Sequence, residues 1–549
     1  MFLNLTRHSL HRQAVTTGFY ELSGGSQQTH CSYFPTTMTP DLPVEIWLYI
    51  VSMLPRDHIR KLVGINRMLF SLAMDEIYRE VRYIDNNQVM RKTFHQLKYP
   101  TIARRVQRVY IRPGFFPEME IFTKAKLSYL GRLRLKVFRL GRKASSPQPT
   151  LDPQEDALIA AGHGLANCTA VEELTIALHD LHPPPSFASF LKTIWVLLAP
   201  NLRRLTIDAT LPKFALLLNP ALLQAFPNLT DLHISIAFSR LSPKRQRDPR
   251  VILPFANAVS GTILHLKISS SEVVDFGDLF YGLTCFPNLQ KLGVYIPLNS
   301  PPSKVHPALG QFIQLHTKSL QDLTVVPLDA MMLQDALRYR AWVMELICGL
   351  DFPLLRSLHI GLLMGYMFNI TTVPPFSSIR LPQLVSLTLV DAYLPRGDIE
   401  AIFNGTFNGN CLESLRIGVE KLSSRILLIL AERLPHLTSL DMTFRRRSGE
   451  PFLIQDAYDS YDVSPRHDTL PYIDPPQLEF ERRMSGCDLK NWKVRNLKLS
   501  RVRWSSCALP HYDLRTMETV ARCLSFPVIY GVRNYCACTN KHSQGVLWS

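Results

Sequence analysis

The sequence predicts an α/β fold in which a short helical module precedes a long, irregular solenoid of parallel strands and helices. Two observations predict the solenoid. A unit Φ-x-x-Φ-x-Φ, where Φ is apolar, recurs along most of the chain, and segments with helical periodicity lie between its copies. A third observation, an apolar stretch bounded by two Leu-Pro pairs, predicts the module. With 549 residues, of which 46% are apolar and 19% charged, the chain can bury a large core.

We divide the chain into a leader (residues 1–39), the helical module (40–85), the repeat array (86–530) and a carboxyl-terminal tail (531–549). The leader is polar and lacks the apolar core of a secretory signal, so we expect it to be disordered. No apolar run approaches the ~18 residues that a membrane span needs, so we expect no membrane association. The ten cysteines form no disulfide pattern, which indicates the cytoplasm, the nucleus or both.

The spacing of apolar residues predicts three helices in the module. In the first helix, Asp41 is a candidate N-cap, Pro43 suits the first turn, and Pro55 ends the helix. We expect Asp57 to cap a second helix that runs to Ile65. A third helix completes the module. Helices this short bury little surface alone, so a partner or the following domain should cover the rest.

The module also carries ordered motifs: Leu42-Pro43, Glu45-Ile46-Trp47, Leu54-Pro55, Ile65-Asn66-Arg67 and Tyr78-Arg79. Together they resemble the F-box of large fungal protein families, over less than a tenth of the chain. The resemblance implies that the module docks a Skp-family adaptor and, through it, a cullin. It further implies that docking uses Leu42, Pro43, Ile46, Ile50, Leu62 and Ile65. Two features depart from the family: Gly64 is a weak helix former, and His58-Ile59 stands where leucines are usual.

The repeat unit is read from its first apolar residue, the anchor. Clear copies begin at Leu202, Leu229, Leu289, Leu320, Leu355, Leu384, Leu412 and Leu437, and weaker copies at Val106, Leu135, Val171, Ile263 and Val494. In six copies a proline stands two positions before the anchor, where it ends the preceding helix and forces an extended approach to a strand. A short strand alternating with a helix at this period is typical of leucine-rich repeats. Such units stack, with parallel strands on the concave side and helices on the convex side.

Two features depart from regular leucine-rich repeats. The asparagine or cysteine that usually closes the turn after each strand is missing, and the repeat lengths vary, so we expect an irregular arc. The segment 445–478 begins with the basic triplet Arg445–Arg447 and continues with sequence rich in proline and aspartate. It predicts a loop insertion, with a missed repeat as the alternative.

The concave face is the predicted binding surface, because strand side chains alternate and those beside the inward leucines point outwards. We expect target contacts on this face and in the basic loop at Arg204, His233, Lys267, Lys291, His359, Arg416, Arg445, Arg446, Arg447 and Lys498. The net charge of +16 favours an acidic or phosphorylated target. Charges of both signs on the face argue against a nucleic-acid partner.

The sequence contains no P-loop, Gly-x-Ser-x-Gly, His-Glu-x-x-His or kinase motif. Cys536-x-Cys538 with His542 does not supply four well-spaced metal ligands. We therefore expect no cofactor, no metal and no catalysis. Our hypothesis is a substrate-recognition subunit of a Skp–cullin–F-box ubiquitin ligase, with the array binding a target protein. The alternatives are a ligase-independent scaffold, a basic nucleic-acid-binding repeat protein and an enzyme whose site is not recognised.

Overall fold

The computed structural model describes residues 42–62, 64, 67–85, 87–112, 153–179, 183–218, 226–239, 248–297, 305–328, 339, 342, 343, 345, 349–361, 381–404, 411–447, 475–501, 511, 512, 514–524, 529 and 530. The predicted leader and carboxyl-terminal tail lie outside the described residues.

Three helices begin the described chain: α1 (Val44–Met53), α2 (Arg56–Ile59) and α3 (Arg67–Tyr78). Pro43 and Pro55 have extended backbone angles and stand at the N-cap positions of α1 and α2, with no side-chain cap. The predicted capping was therefore wrong in its positions. Pro43 precedes α1 instead of lying in its first turn, and Asp57 is the second residue of α2 instead of its cap. The second helix is also shorter than predicted, because a 3₁₀ turn at Arg60–Leu62 ends it.

A single sheet runs through the rest of the molecule. Its strands are β1 (Glu80–Tyr83), β2 (Arg108–Ile111), β3 (Glu173–Leu178), β4 (Arg204–Ala209), β5 (Asp231–Ile236), β6 (His265–Ser270), β7 (Lys291–Ile296), β8 (Asp322–Pro327), β9 (Ser357–Gly361), β10 (Ser386–Leu394), β11 (Ser414–Leu422), β12 (Ser439–Arg447), β13 (Asn496–Arg501), β14 (His511–Tyr512) and β15 (Ile529–Tyr530). Strands β1 to β13 pair in chain order and in parallel. The short strands β14, antiparallel, and β15, parallel, both pair with β13.

Helices connect most of these strands and cover one face of the sheet. They are α4 (Gln88–Gln96), α5 (Pro100–Ala103), α6 (Pro153–Leu165), α7 (Ser186–Leu198), α8 (Leu211–Leu217), α9 (Leu253–Ala258), α10 (Gly277–Gly282), α11 (Val305–His316), α12 (Arg396–Asn404), α13 (Ser424–Arg433), α14 (Pro475–Ser485) and α15 (Leu514–Arg522). Their apolar side chains and alternate residues of the strands form one continuous core from Val81 to Leu524. The other face of the sheet carries the polar strand residues, and we call it the open face.

The parallel ladder and its covering helices confirm the predicted α/β repeat architecture. The anchors explain it, because every anchor within the described residues is at most 1% exposed, including the weak copies at Val106 and Val494. Each strand begins two residues after its anchor, so β4 begins at Arg204 after Leu202. Burying a leucine or valine at each repeat contributes about 1.5–3 kcal/mol, and only the neighbouring repeat can cover it.

Four predictions about the array need correction. Leu135 lies outside the described residues, but β2 pairs directly with β3, so no repeat strand lies between them. Likewise β12 pairs directly with β13, which excludes a missed repeat between them. The triplet Arg445–Arg447 belongs to β12 and not to a loop, because its backbone continues the pairing with β11 as far as Arg447. The sheet also begins at β1, before the predicted start of the array at residue 86.

Asparagines before the anchors tie neighbouring repeats together. The side-chain amide of Asn201 donates to the carbonyl oxygen of Thr169 at 3.0 Å, and Asn228 donates to Pro200 at 2.7 Å. Asn288 donates to Gly261 at 2.8 Å in the same way. These bonds satisfy backbone carbonyls of the turn that precedes each of these three strands. The asparagines that usually follow the strands of leucine-rich repeats are missing here, and these asparagines precede the strands instead. The recurring Pro-Asn-Leu of these repeats was the available sequence signal.

Candidate protein-interaction surfaces

The helix α1 is apolar on nearly all sides and yet stands largely in solvent. Of its ten residues only Glu45 and Ser52 are polar, and only Val51 is buried. The exposed large apolar side chains at this end of the chain are Leu42 (44%), Val44 (55%), Ile46 (45%), Leu48 (48%), Tyr49 (62%), Ile50 (37%) and Met53 (64%). A helix that is apolar all round is normally buried, and a contiguous exposed apolar patch marks an interaction site. We call this patch the α1 surface.

The residues predicted to dock an adaptor fall mainly on this surface. Leu42, Pro43, Ile46 and Ile50 are all exposed. Leu62 is half-buried in the 3₁₀ turn, and Ile65 lies outside the described residues. The structure therefore brings four of the six candidates together at α1, and it adds Leu48, Tyr49 and Met53, which the motif did not single out.

The helix α3 attaches this module to the array. The guanidinium of Arg105 donates to the carbonyl oxygen of Ser71 at 2.9 Å and forms an ion pair with Asp75. Glu76 lies 3.6 Å from Arg79 and 3.8 Å from Arg60. The Arg105 contacts hold α3 against the first repeats, and the Glu76 pairs join parts of the module to each other, while α1 keeps its apolar surface in solvent.

The open face of the sheet is a second candidate surface. Its residues lie in rows across the strands, because the first residues of successive strands stay in register from β1 to β13, and the β10–β11 register shifts only after Leu389. The first row contains Arg204, Asp231, His265 and Lys291, and the second contains Thr206, His233 and Lys267. His359, Arg416, Asp441 and Lys498 continue the second row. The predicted face residues therefore do lie on one face.

From β2 to β8 the first row is a ladder of paired charges, which we call the paired row. Arg108 lies 3.0 Å from Glu173, which is 3.3 Å from Arg204 on its other side. Arg204 also lies 3.6 Å from Asp231, whose second partner is His265 at 2.7 Å. The row ends with Lys291 and Asp322 at 2.9 Å. Arg204 and Lys291, both predicted to bind a target, thus already have carboxylate partners.

Two histidines of the second row carry no charge at neutral pH. Burial and the positive charge of Lys267 lower the pKa of His233 to about 4. Burial and the charge of Arg416 lower the pKa of His359 in the same direction. The ammonium group of Lys267 lies 5.0 Å from the ring centre of Tyr295, a cation–π contact. The sequence predicted both histidines as target contacts, but residue type alone could not show that they are partly buried and neutral.

From β9 onwards the first row changes to Ser357, Ser386, Ser414 and Ser439, followed by Asn496. We call the four serines the serine row. They are half-buried, and within the described part of the chain their hydroxyl groups have no hydrogen-bond partner. The cations nearby are Arg416, whose Nε lies 3.6 Å from Asp441, and Lys498.

The basic triplet lies at the far end of β12. The guanidinium of Arg445 stacks on the ring of Tyr393 at 4.4 Å, and Arg446 forms an ion pair with Glu420. Arg447 pairs through its backbone with Leu422. The first two side chains are therefore held by neighbours, which the prediction of a free basic loop did not anticipate.

A groove, metal-ligating groups and membrane-spanning helices are further features to consider in the described residues. A groove of about 760 Å³ at the start of the strands is lined by the bridging asparagines, whose amides already bond to backbone carbonyls. No group of three metal-ligating side chains occurs in the described ranges. Among the helices described, none has the length and apolar character needed to cross a membrane.

Comparisons with known proteins leave the family open. No protein-family model matches the chain, and no curated protein matches its sequence. Solved structures do match, among them one described as the crystal structure of the Rad7 and Elc1 complex in yeast. The identity is 14%, the TM-score is 0.30, and the match covers 53% of this chain and 73% of the other.

Proposed function

We propose that this protein is a non-catalytic adaptor that recruits a target protein to a Skp–cullin–F-box ubiquitin ligase in the cytoplasm or nucleus. The α1 surface docks a Skp-family adaptor, and the open face of the sheet holds the target. A separate enzyme of the complex then transfers ubiquitin. The observation that carries the proposal is the apolar α1 surface, which coincides with the F-box motif residues.

The energetics favour a docking role for α1. Seven large apolar side chains between Leu42 and Met53 are at least 37% exposed. Covering apolar surface contributes roughly 25 cal/mol per Å², so a partner that covers the α1 surface gains binding free energy. The array leaves this surface exposed, because its core begins at Val81 and does not include Val51, Leu69 or Ala73, the buried residues of α1 and α3.

The sheet supplies what target capture needs. It is one rigid parallel ladder with a polar open face, and such a scaffold can present complementary groups over a long distance. In the paired row, acidic side chains neutralise the basic ones over the first half of the open face. A continuous surface for nucleic-acid phosphates would need basic side chains without such partners, so this function is disfavoured.

Co-purification tests the docking role. A Skp-family adaptor should co-purify with the chain and should be lost when Leu42 and Pro43 are both changed to alanine, while thermal stability is retained. If the folded double variant holds the adaptor as well as the parent does, the α1 surface is not the docking site. If neither protein holds it, the chain is a ligase-independent scaffold.

A further inference from the structure

The open face has one part whose charged side chains pair with each other and another part whose hydroxyl groups have no partner among the described residues. In the paired row, every charged residue from Arg108 to Asp322 has an oppositely charged neighbour in the ladder. In the serine row, which begins on β9, half-buried hydroxyl groups have no partner among the described residues. Small side chains with free hydroxyls leave room and hydrogen-bonding capacity for a ligand backbone.

Two cations stand beside the serine row at a defined spacing. Arg416 on β11 and Lys498 on β13 are two strands apart in register, with Asp441 between them. Strands lie about 4.8 Å apart, so the two cations are separated by about 10 Å along the row. Lys498 is half-buried and has no ion-pair partner in the part of the chain that the structure describes. A peptide in the polyproline II conformation advances about 9 Å in three residues, and side chains three residues apart lie on the same side of it.

We propose that β9 to β13 of the open face bind a polyproline II segment of a partner protein, which crosses the strands and carries two acidic side chains three residues apart on the same side. One acid meets Arg416 and the other meets Lys498. The two residues between them are not acidic, because Asp441 faces them. The serine hydroxyls bond to the main chain of the segment. This inference rests on the proposed function, since it states the class of target that the open face selects.

The arrangement favours carboxylates over a phosphate group. A phosphate carries nearly two charges on one group and is best held by converging arginines. Here the two cations are separated, and Arg416 is already 3.6 Å from Asp441. The nearby arginines do not converge either, since Arg445 stacks on Tyr393 and Arg446 pairs with Glu420.

Fluorescence anisotropy on the full chain tests the proposal. The probe is a labelled peptide of about 12 residues with aspartate at every third position and neutral residues between, and its control has the same composition with the aspartates contiguous. We expect the spaced peptide to bind about tenfold more tightly than the contiguous one. Changing both Arg416 and Lys498 to glutamine should weaken it by a further tenfold or so. Changing both Arg204 and Lys291 to glutamine, in the paired row, should leave its affinity unchanged.

Four outcomes would overturn the proposal: equal binding of the two peptides, no effect of the Arg416 and Lys498 changes, an equal loss in the paired-row variant, or tighter binding of a phosphoserine version. A further variant has a Gly-Ser linker in place of residues 449–473. That segment carries Asp456, Asp459 and Asp462 at the same spacing of three residues. Peptide binding seen only in that variant would assign the surface to this chain's own segment. Adaptor co-purification, measured on the same proteins, reports on the proposed function separately.

Discussion

Individual charged side chains of the open face differ in whether a neighbouring strand supplies an ion-pair partner for them. Arg204 is shared by Glu173 and Asp231, whereas Lys498 has no ion-pair partner among the described residues. Residue type alone predicted both as binding cations. The distinction depends on which strands are neighbours, and that becomes known only when the register is fixed.

His316 is the clearest case of a residue whose environment sets its protonation state. It is 2% exposed in α11, its Nε2 accepts from the backbone N–H of Phe286 at 2.9 Å, and its Nδ1 donates to the carbonyl of Phe312 at 2.6 Å. Burial lowers its pKa, even though the bond to Phe312 acts in the other direction. The neutral imidazole therefore joins two repeats through the core.

The free energy of unfolding should fall as the pH drops below about 6.5, the ordinary pKa of histidine. The folded state keeps His316 neutral while the unfolded chain takes up a proton, so acid favours unfolding. His316→Leu should cost about 1–3 kcal/mol at pH 7.5, because the Phe286 N–H loses its acceptor. It should also flatten the pH dependence in urea titrations between pH 7.5 and 5. The exposed His95, changed to leucine, is the control, and an identical pH slope in the two variants would refute the assignment.

Secondary-structure elements were the most predictable level of the molecule. The Φ-x-x-Φ-x-Φ unit located the described strands of the array from β2 to β13, because each anchor must be buried for repeats to stack. The errors have local physical causes. The weak copy at Leu135 has an acceptable pattern but no place between β2 and β3. The triplet Arg445–Arg447 looked like a loop because of its charge, but backbone pairing with β11 and contacts of its side chains with neighbours keep it in β12.

Adjacent residues on β4 test how the array is stabilised. Leu205→Ala removes a side chain that is 0% exposed in the core and should cost about 2–5 kcal/mol. Arg204→Gln removes two partly exposed ion pairs on the open face and should cost less than about 1 kcal/mol. Denaturant unfolding of both variants measures the difference. Equal losses of unfolding free energy would mean that the paired row stabilises the repeats as much as the leucine core does.

At the scale of the whole molecule, the sequence predicted where the two candidate surfaces lie better than it predicted which residues of each surface are available for binding. The motifs that resemble an F-box pointed to the segment that the structure shows as an exposed apolar helix. The motifs nevertheless omitted Leu48, Tyr49 and Met53, which only the exposure of all sides of α1 reveals. On the sheet, alternation placed the face correctly, but the contrast between the paired row and the serine row depends on long-range strand order.

The most direct test of the account is the affinity of the full chain for a purified Skp-family adaptor, measured by calorimetry. Ile46→Glu with Ile50→Glu places two charges on the α1 surface without touching the core and should weaken binding by about 100-fold or more. The matched control is Val196→Glu with Leu315→Glu, on α7 and α11, where the side chains are 62% and 61% exposed. The account predicts that this control binds like the parent. Equal affinity of all three proteins, or an equal loss in both variants, would contradict docking through α1.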